Sequence, residues 1–105
     1  MPIKVLIVDD SASMRAVVKK TLAAAGYAVQ TCLEAQNGAE ALEILHQEPV
    51  DVVLSDLHMP EMDGLELLRT LQKEGKVPPC FILVTTEGRK ERLKEALGLG
   101  ARGYV

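Results

Sequence analysis

Three aspartates and a threonine stand where short apolar runs end: Asp9 and Asp10 after Ile3 to Val8, Asp56 just beyond Val50 to Leu54, and Thr85 after Phe81 to Val84. A carboxylate can act as a nucleophile and form an aspartyl phosphate. Carboxylates that converge in a partly desolvated crevice repel one another. A hard, oxygen-seeking cation relieves that repulsion, and Mg2+ commonly takes one or two carboxylates together with waters and a phosphate. The same cation neutralises a phosphoryl group in transit. The chemistry on offer is therefore phosphoryl transfer to Asp56, with Asp9 and Asp10 at a metal. The Thr85 hydroxyl and nearby backbone N–H groups would donate to a phosphoryl oxygen. All of this requires that the runs carrying these residues be neighbours.

The pattern of elements favours an order in which they are. Ile3 to Val8 is a β-branched, nearly continuous apolar run, as expected of a strand covered on both faces. Ser11 or Ser13 caps a helix with Met14, Val17, Val18, Leu22 and Ala25 along one side, and Gly26 ends it. Ala28 to Leu33 is a weaker, more polar strand suited to a sheet edge. Asn37 and Gly38 open a short helix with Ala41, Leu42 and Leu45 on its apolar face, and Pro49 ends it. Val50 to Leu54 is a third strand; Gly64 opens a helix with Leu65, Leu68 and Leu71 at helical spacing. Phe81 to Val84 is a fourth strand, Lys90 to Leu97 a helix, and Tyr104 and Val105 begin a fifth strand. Strands joined by crossover helices predict an α/β, doubly wound parallel sheet, and right-handed crossovers with a weak second strand favour the order 2-1-3-4-5. Chemistry in such a sheet gathers outside the carboxyl ends of the strands.

Composition narrows the function. A chain of 105 residues fits one domain, and 48% hydrophobic with 26% charged residues is ordinary for a globular protein. With one Phe, two Tyr and no Trp, stacking platforms for single-stranded nucleic acid are not evident. A net charge of −3 gives no general basic surface for DNA or an acidic membrane. The apolar stretch within Met1 to Val8 is too short for a signal peptide, and no stretch approaches the roughly 20 apolar residues of a membrane span. Cys32 and Cys80 lack a CxxC partner and read as buried free thiols. The expected location is the cytoplasm.

The runs Val8-Asp9-Asp10-Ser11, Leu54-Ser55-Asp56-Leu57-His58-Met59-Pro60-Glu61-Met62-Asp63-Gly64-Leu65-Glu66, Val84-Thr85-Thr86-Glu87 and Gly100-Ala101-Arg102-Gly103-Tyr104-Val105 resemble response-regulator receiver domains in order and spacing over nearly the whole chain. Ser13-Met14-Arg15 is similar to the chemotaxis-type members. The resemblance implies a flavodoxin-like fold and a phosphorylation-dependent switch of a two-component phosphorelay. In it Asp56 is the phosphoacceptor, served by a sensor histidine kinase and read by a downstream output protein or domain, with no nucleic acid contacted directly and no membrane. It implies Mg2+ (or Mn2+) held by Asp10 directly, by Asp9 through water, by Asp56 and by the backbone carbonyl of His58. Thr85 and Tyr104 are implied to be the pair that shifts inward on phosphorylation. Such a domain is a phosphoacceptor, not an enzyme beyond its own phosphorylation and dephosphorylation. Receivers carry a lysine two residues past the position of Val105 and then a fifth helix; residues 1–105 stop short of both, so the expected domain lacks the last helix.

Plainer roles compete at several positions. Asp9 and Asp10 alone would serve as helix caps, and Asp63 before Gly64 is read as one. His46 is read as a solvated surface residue. His58 is read as exposed loop, with a side chain able to modulate access of water to the phosphoryl group. Thr86 and Glu87 either tune dephosphorylation or start the next turn. The run Arg89 to Arg92 is a wet helix face or a partner surface. Among other functions, a haloacid-dehalogenase-type phosphatase usually carries Asp-x-Asp after its first strand, whereas Asp56-Leu57-His58 follows the third and lacks the second acid. A flavin module of the same fold would not place Asp9 and Asp10 where a phosphate must sit.

Overall fold

The computed structural model describes residues 3–26, 29–57, 59, 61–84 and 90–104. The elements are β1 (Ile3–Val8), α1 (Ala12–Ala24), β2 (Val29–Ala35), α2 (Gly38–Gln47), β3 (Val52–Ser55), α3 (Gly64–Glu74), β4 (Cys80–Leu83), α4 (Lys90–Gly98) and β5 (Gly103–Tyr104). The strands form one five-stranded parallel sheet in the order β2-β1-β3-β4-β5, the order expected. Val8 is level with Ser55, and Ser55 with Leu83. That register puts the residues following β1, β3 and β4 along one edge of the sheet.

The local signals mostly act as read. Ser11, not Ser13, caps α1: its Oγ accepts the Met14 N–H at 3.2 Å. Asn37 caps α2 through the Glu40 N–H at 2.9 Å, and Asp63 caps α3 through the Glu66 N–H at 2.9 Å. Gly75 closes α3 in the left-handed region, at φ 68°. Strand bounds differ by a residue or two. β3 begins at Val52 because Asp51 is engaged sideways, its carboxylate accepting the Lys4 N–H at 2.8 Å. β4 begins at Cys80 and β5 at Gly103; the expected strand residues Ala28 and Val105 lie outside the described residues.

Right-handed crossovers place the helix of a leftward step opposite the helices of rightward steps, so α1 covers one face and α2, α3 and α4 the other. The main core lies under the second group. Leu6, Val8, Val53, Phe81 and Leu83 from the sheet pack with Leu65, Leu67, Leu68 and Leu71 of α3 and with Leu93 and Ala96 of α4. On the α1 face Val5 and Ile7 are buried, but Val52, Leu54, Cys80 and Ile82 are only half-buried. The expected apolar side of α1 is not a buried one: no residue of α1 is buried, and Met14 and Val17 are 45% and 54% exposed. Period alone marks the stripe without saying how much surface exists to cover it. Cys32 and Cys80 are free thiols but half-buried rather than buried. His46 is not simply solvated, since its Nε2 lies 2.9 Å from Glu74 Oε1. No helix among the described residues is long and apolar enough to cross a membrane.

Candidate functional site

Asp9 leaves β1 with its N–H donating to the Ala35 carbonyl at 3.0 Å, and Asp56 leaves β3 with its N–H donating to the Val8 carbonyl at 2.9 Å. These bonds extend the parallel ladder one residue beyond the strands, which fixes both aspartates side by side. Asp10 follows on the turn into α1. Carboxylate oxygens of Asp9, Asp10 and Asp56 all lie within 4.8 Å of one another, Asp9 buried, Asp56 half-buried and Asp10 exposed. The convergence expected from strand order is thus present.

The loop after β3 is pinned close against Asp56. Gly64 donates its N–H to the Leu57 carbonyl at 3.0 Å, and Ser55 Oγ donates to the Asp56 carbonyl at 2.9 Å. A Cβ on Gly64 would lie 2.4 Å from the Asp56 carbonyl oxygen, so glycine is required by close approach and not by a turn. On the other side, the Gly38 N–H donates to the Met62 carbonyl at 2.8 Å, tying this loop to the start of α2. Glu61 within it sits at φ 66°, an uncommon conformation for a residue with a side chain.

Burial pushes the Asp9 carboxyl above its usual range; the Ser11 N–H, donating to Asp9 Oδ1 at 2.8 Å, pulls it back, and the charges of Asp56 and Asp10 raise it further. The fold therefore resists ionisation of Asp9. A donor set made only of carboxylate oxygens fits a hard divalent cation, which would remove that resistance. Asp9→Asn should raise metal-free stability at neutral pH by about 1 kcal/mol, the usual size of a stabilising substitution. A carboxyl whose folded pKa is raised stabilises the fold at pH values below its unfolded pKa and loses that contribution as pH rises through the folded one. Melting curves of variant and wild type should then converge in acid and separate towards neutrality, and parallel curves at all pH values would contradict the assignment.

Of the other expected site residues, His58 and Thr85 lie outside the described residues, as do Thr86 and Glu87. The Tyr104 backbone pairs with Leu83 in the last strand, while its side chain is outside what is described. Asp63 is the helix cap it was read to be, and also meets Arg92 Nη2 at 3.3 Å, from α4. Sequence reasoning missed Arg15. Its guanidinium reaches the Asp9 carbonyl at 2.5 Å and Glu34 at 2.9 Å. The available signal was a charged pair, Arg15 in the first turn of α1 and Glu34 near the end of an edge strand.

The fold is thus an α/β parallel sheet of this order with three acids at its carboxyl edge. Residues 5–105 match the response regulator receiver domain. The CheY homolog of Campylobacter jejuni is 42% identical over 104 residues, covering 97% of this chain and 78% of that protein. CheY1 of Helicobacter pylori is 38% identical over 104 residues, covering 97% of this chain and 82% of that one. The structure of CheY4 from Vibrio cholerae superposes with a TM-score of 0.82 at 37% identity, covering 100% of this chain and 86% of that one. The CheX–CheY–BeF3–Mg2+ complex from Borrelia burgdorferi matches with a TM-score of 0.85 at 28% identity, covering 100% of this chain and 78% of that one. The chain belongs to the response regulator receiver domain family.

Proposed function

We propose that this phosphorylation-dependent switch of two-component signalling takes its phosphoryl group on Asp56. The observation that carries this is the mutual approach of the Asp9, Asp10 and Asp56 carboxylates at adjoining strand ends. An Asp56 oxygen attacks phosphorus in line while the bond to the donor breaks, and the donor leaves with the electron pair: a phosphohistidine imidazole from a sensor kinase, or acetate from acetyl phosphate. Asp9, Asp10, Asp56 and the His58 carbonyl would hold Mg2+ or Mn2+, which supplies charge neutralisation on the phosphoryl oxygens. Asp9 also orients the turn through its bond to the Ser11 N–H.

Thr85 and Tyr104 form the switch pair: the Thr85 hydroxyl donates to the phosphoryl group, and the Tyr104 ring follows. The partners are a sensor histidine kinase and a downstream output protein or domain, reached in the cytoplasm, with the CheY relatives favouring chemotaxis-type signalling. Its chemistry is confined to its own phosphorylation and dephosphorylation. A dehalogenase-type phosphatase is disfavoured because the position two residues after Asp56 is His58, not a second acid.

The test is incubation with radiolabelled acetyl phosphate and Mg2+. Hydroxylamine-sensitive label, the mark of an acyl phosphate, should appear with Mg2+ and vanish when the metal is chelated. No label under either condition, or continuous release of phosphate from small phosphomonoesters, would replace this reading with another.

A further inference from the structure

We infer that Arg15, held in place by Glu34, is a positioning residue for the carboxylates of the β1–α1 turn. This rests on the reading that those carboxylates bind a divalent cation. Arg15 lies in the first turn of α1, its N–H donating to the Ser11 carbonyl at 3.1 Å. Its side chain folds back towards β1 and is 13% exposed, against 45% for Lys19 one turn further along. Nη1 donates to the Asp9 carbonyl at 2.5 Å and Nε to Glu34 Oε1 at 2.9 Å.

The Asp9 carbonyl belongs to the peptide plane that joins Asp9 to Asp10. Fixing that plane fixes the last backbone torsion of Asp9 and the first of Asp10, and so the direction in which each side chain leaves the chain. The preceding plane is already fixed by the bond from the Asp9 N–H to Ala35. With the Ser11 N–H on Asp9 Oδ1, the turn is held at three successive points. Exposed Asp10 gains most, because burial does nothing to direct it.

Glu34 makes this arrangement compatible with a cation site. An unrestrained guanidinium beside three carboxylates would be drawn onto them and would compete with a metal. Glu34 binds Arg15 with one oxygen and Lys19 with the other, at 3.2 Å, and these two bonds hold its carboxyl below the usual range. It therefore offsets the Arg15 charge and holds the fork on the backbone.

Charge and positioning predict opposite outcomes. Removing a cation near a cation site should tighten metal binding if only charge matters. Loss of a group that orients ligands should weaken it, typically tenfold or more. The chain has no tryptophan to report binding, so Mn2+ affinity is read from the paramagnetic resonance of the free ion, with Mg2+ as competitor and no phosphodonor. Arg15→Met should bind Mn2+ about tenfold more weakly. Arg15→Lys, which keeps the charge and loses the planar fork, should also bind more weakly. Should Arg15→Met not fold, Arg15→Lys carries the test alone. Unchanged or tighter binding in the folded variants overturns the positioning role. Asp10→Asn is the separate control: if it binds Mn2+ as wild type does, the metal reading itself fails and this inference with it.

Discussion

Asp56→Asn should reduce hydroxylamine-sensitive phosphate incorporation to background while leaving the fold intact. The amide is close in size and shape to the carboxylate, and the Asp56 N–H bond to Val8 is a backbone contact the substitution leaves alone. What disappears is the anionic nucleophile, and a neutral amide has no comparable tendency to attack phosphorus. The neighbouring Ser55 offers no substitute acceptor, because its hydroxyl is fully buried and donates to the Asp56 carbonyl. Asp9 and Asp10 retain their carboxylates in this variant, so label that persists at the wild-type level would move the acceptor role away from Asp56. Metal affinity should weaken as well, since one of three converging carboxylates is gone. Measuring incorporation at saturating Mg2+ separates the loss of nucleophile from the loss of metal.

The strands were legible as short apolar runs alternating with helical patterns, while their order came from right-handed crossovers, the weak second strand and the likeness to other doubly wound sheets, since periodicity alone does not fix it. Asp9 and Asp56 were legible for the same reason: a residue that follows a strand of known position has a known place. Residues whose role depends on a distant partner were not. Arg15 entered only through the likeness of Ser13-Met14-Arg15 to chemotaxis-type receivers, and Glu34 falls just past the expected second strand; only folding brings them to 2.9 Å. Leu67 breaks the spacing of Leu65, Leu68 and Leu71, yet it is fully buried. α3 sits between α2 and α4, so it needs a wider apolar face than a helix packed on one side. Met14 and Val17 fail in the opposite sense: they satisfy the helical period and remain exposed. Periodicity reports which side of a helix is apolar, and burial depends on what lies opposite.

The close approach at Gly64 was also invisible from sequence, where the glycine reads as opening a helix and shaping the loop before it, and it supports the second large prediction. Gly64→Ala should destabilise the fold by about 3 kcal/mol and slow phosphorylation about a hundredfold, the order expected when a reacting group is displaced by an ångström. Two effects oppose each other at this site. Alanine is the better helix former, worth about 1 kcal/mol at an open helical position. At Gly64, however, the new Cβ would stand 2.4 Å from the Asp56 carbonyl oxygen and 3.2 Å from Leu57 Cα. Both are backbone atoms, and neither can rotate away as the end of a side chain would. The Asp56 carbonyl also holds the Ser55 hydroxyl, and Leu57, fully buried, cannot shift without disturbing the core. The clash therefore outweighs the propensity, and relief must come from moving the backbone that carries the phosphoacceptor. Gly98→Ala supplies the contrast. Gly98 ends α4 with nothing within 4 Å of its would-be Cβ, so the substitution should be neutral or slightly stabilising. Urea unfolding of both variants, with phosphorylation assayed where circular dichroism shows each to be folded, compares them directly. Equal stability for Gly64→Ala and Gly98→Ala would mean that the contact with Asp56 does not constrain the loop.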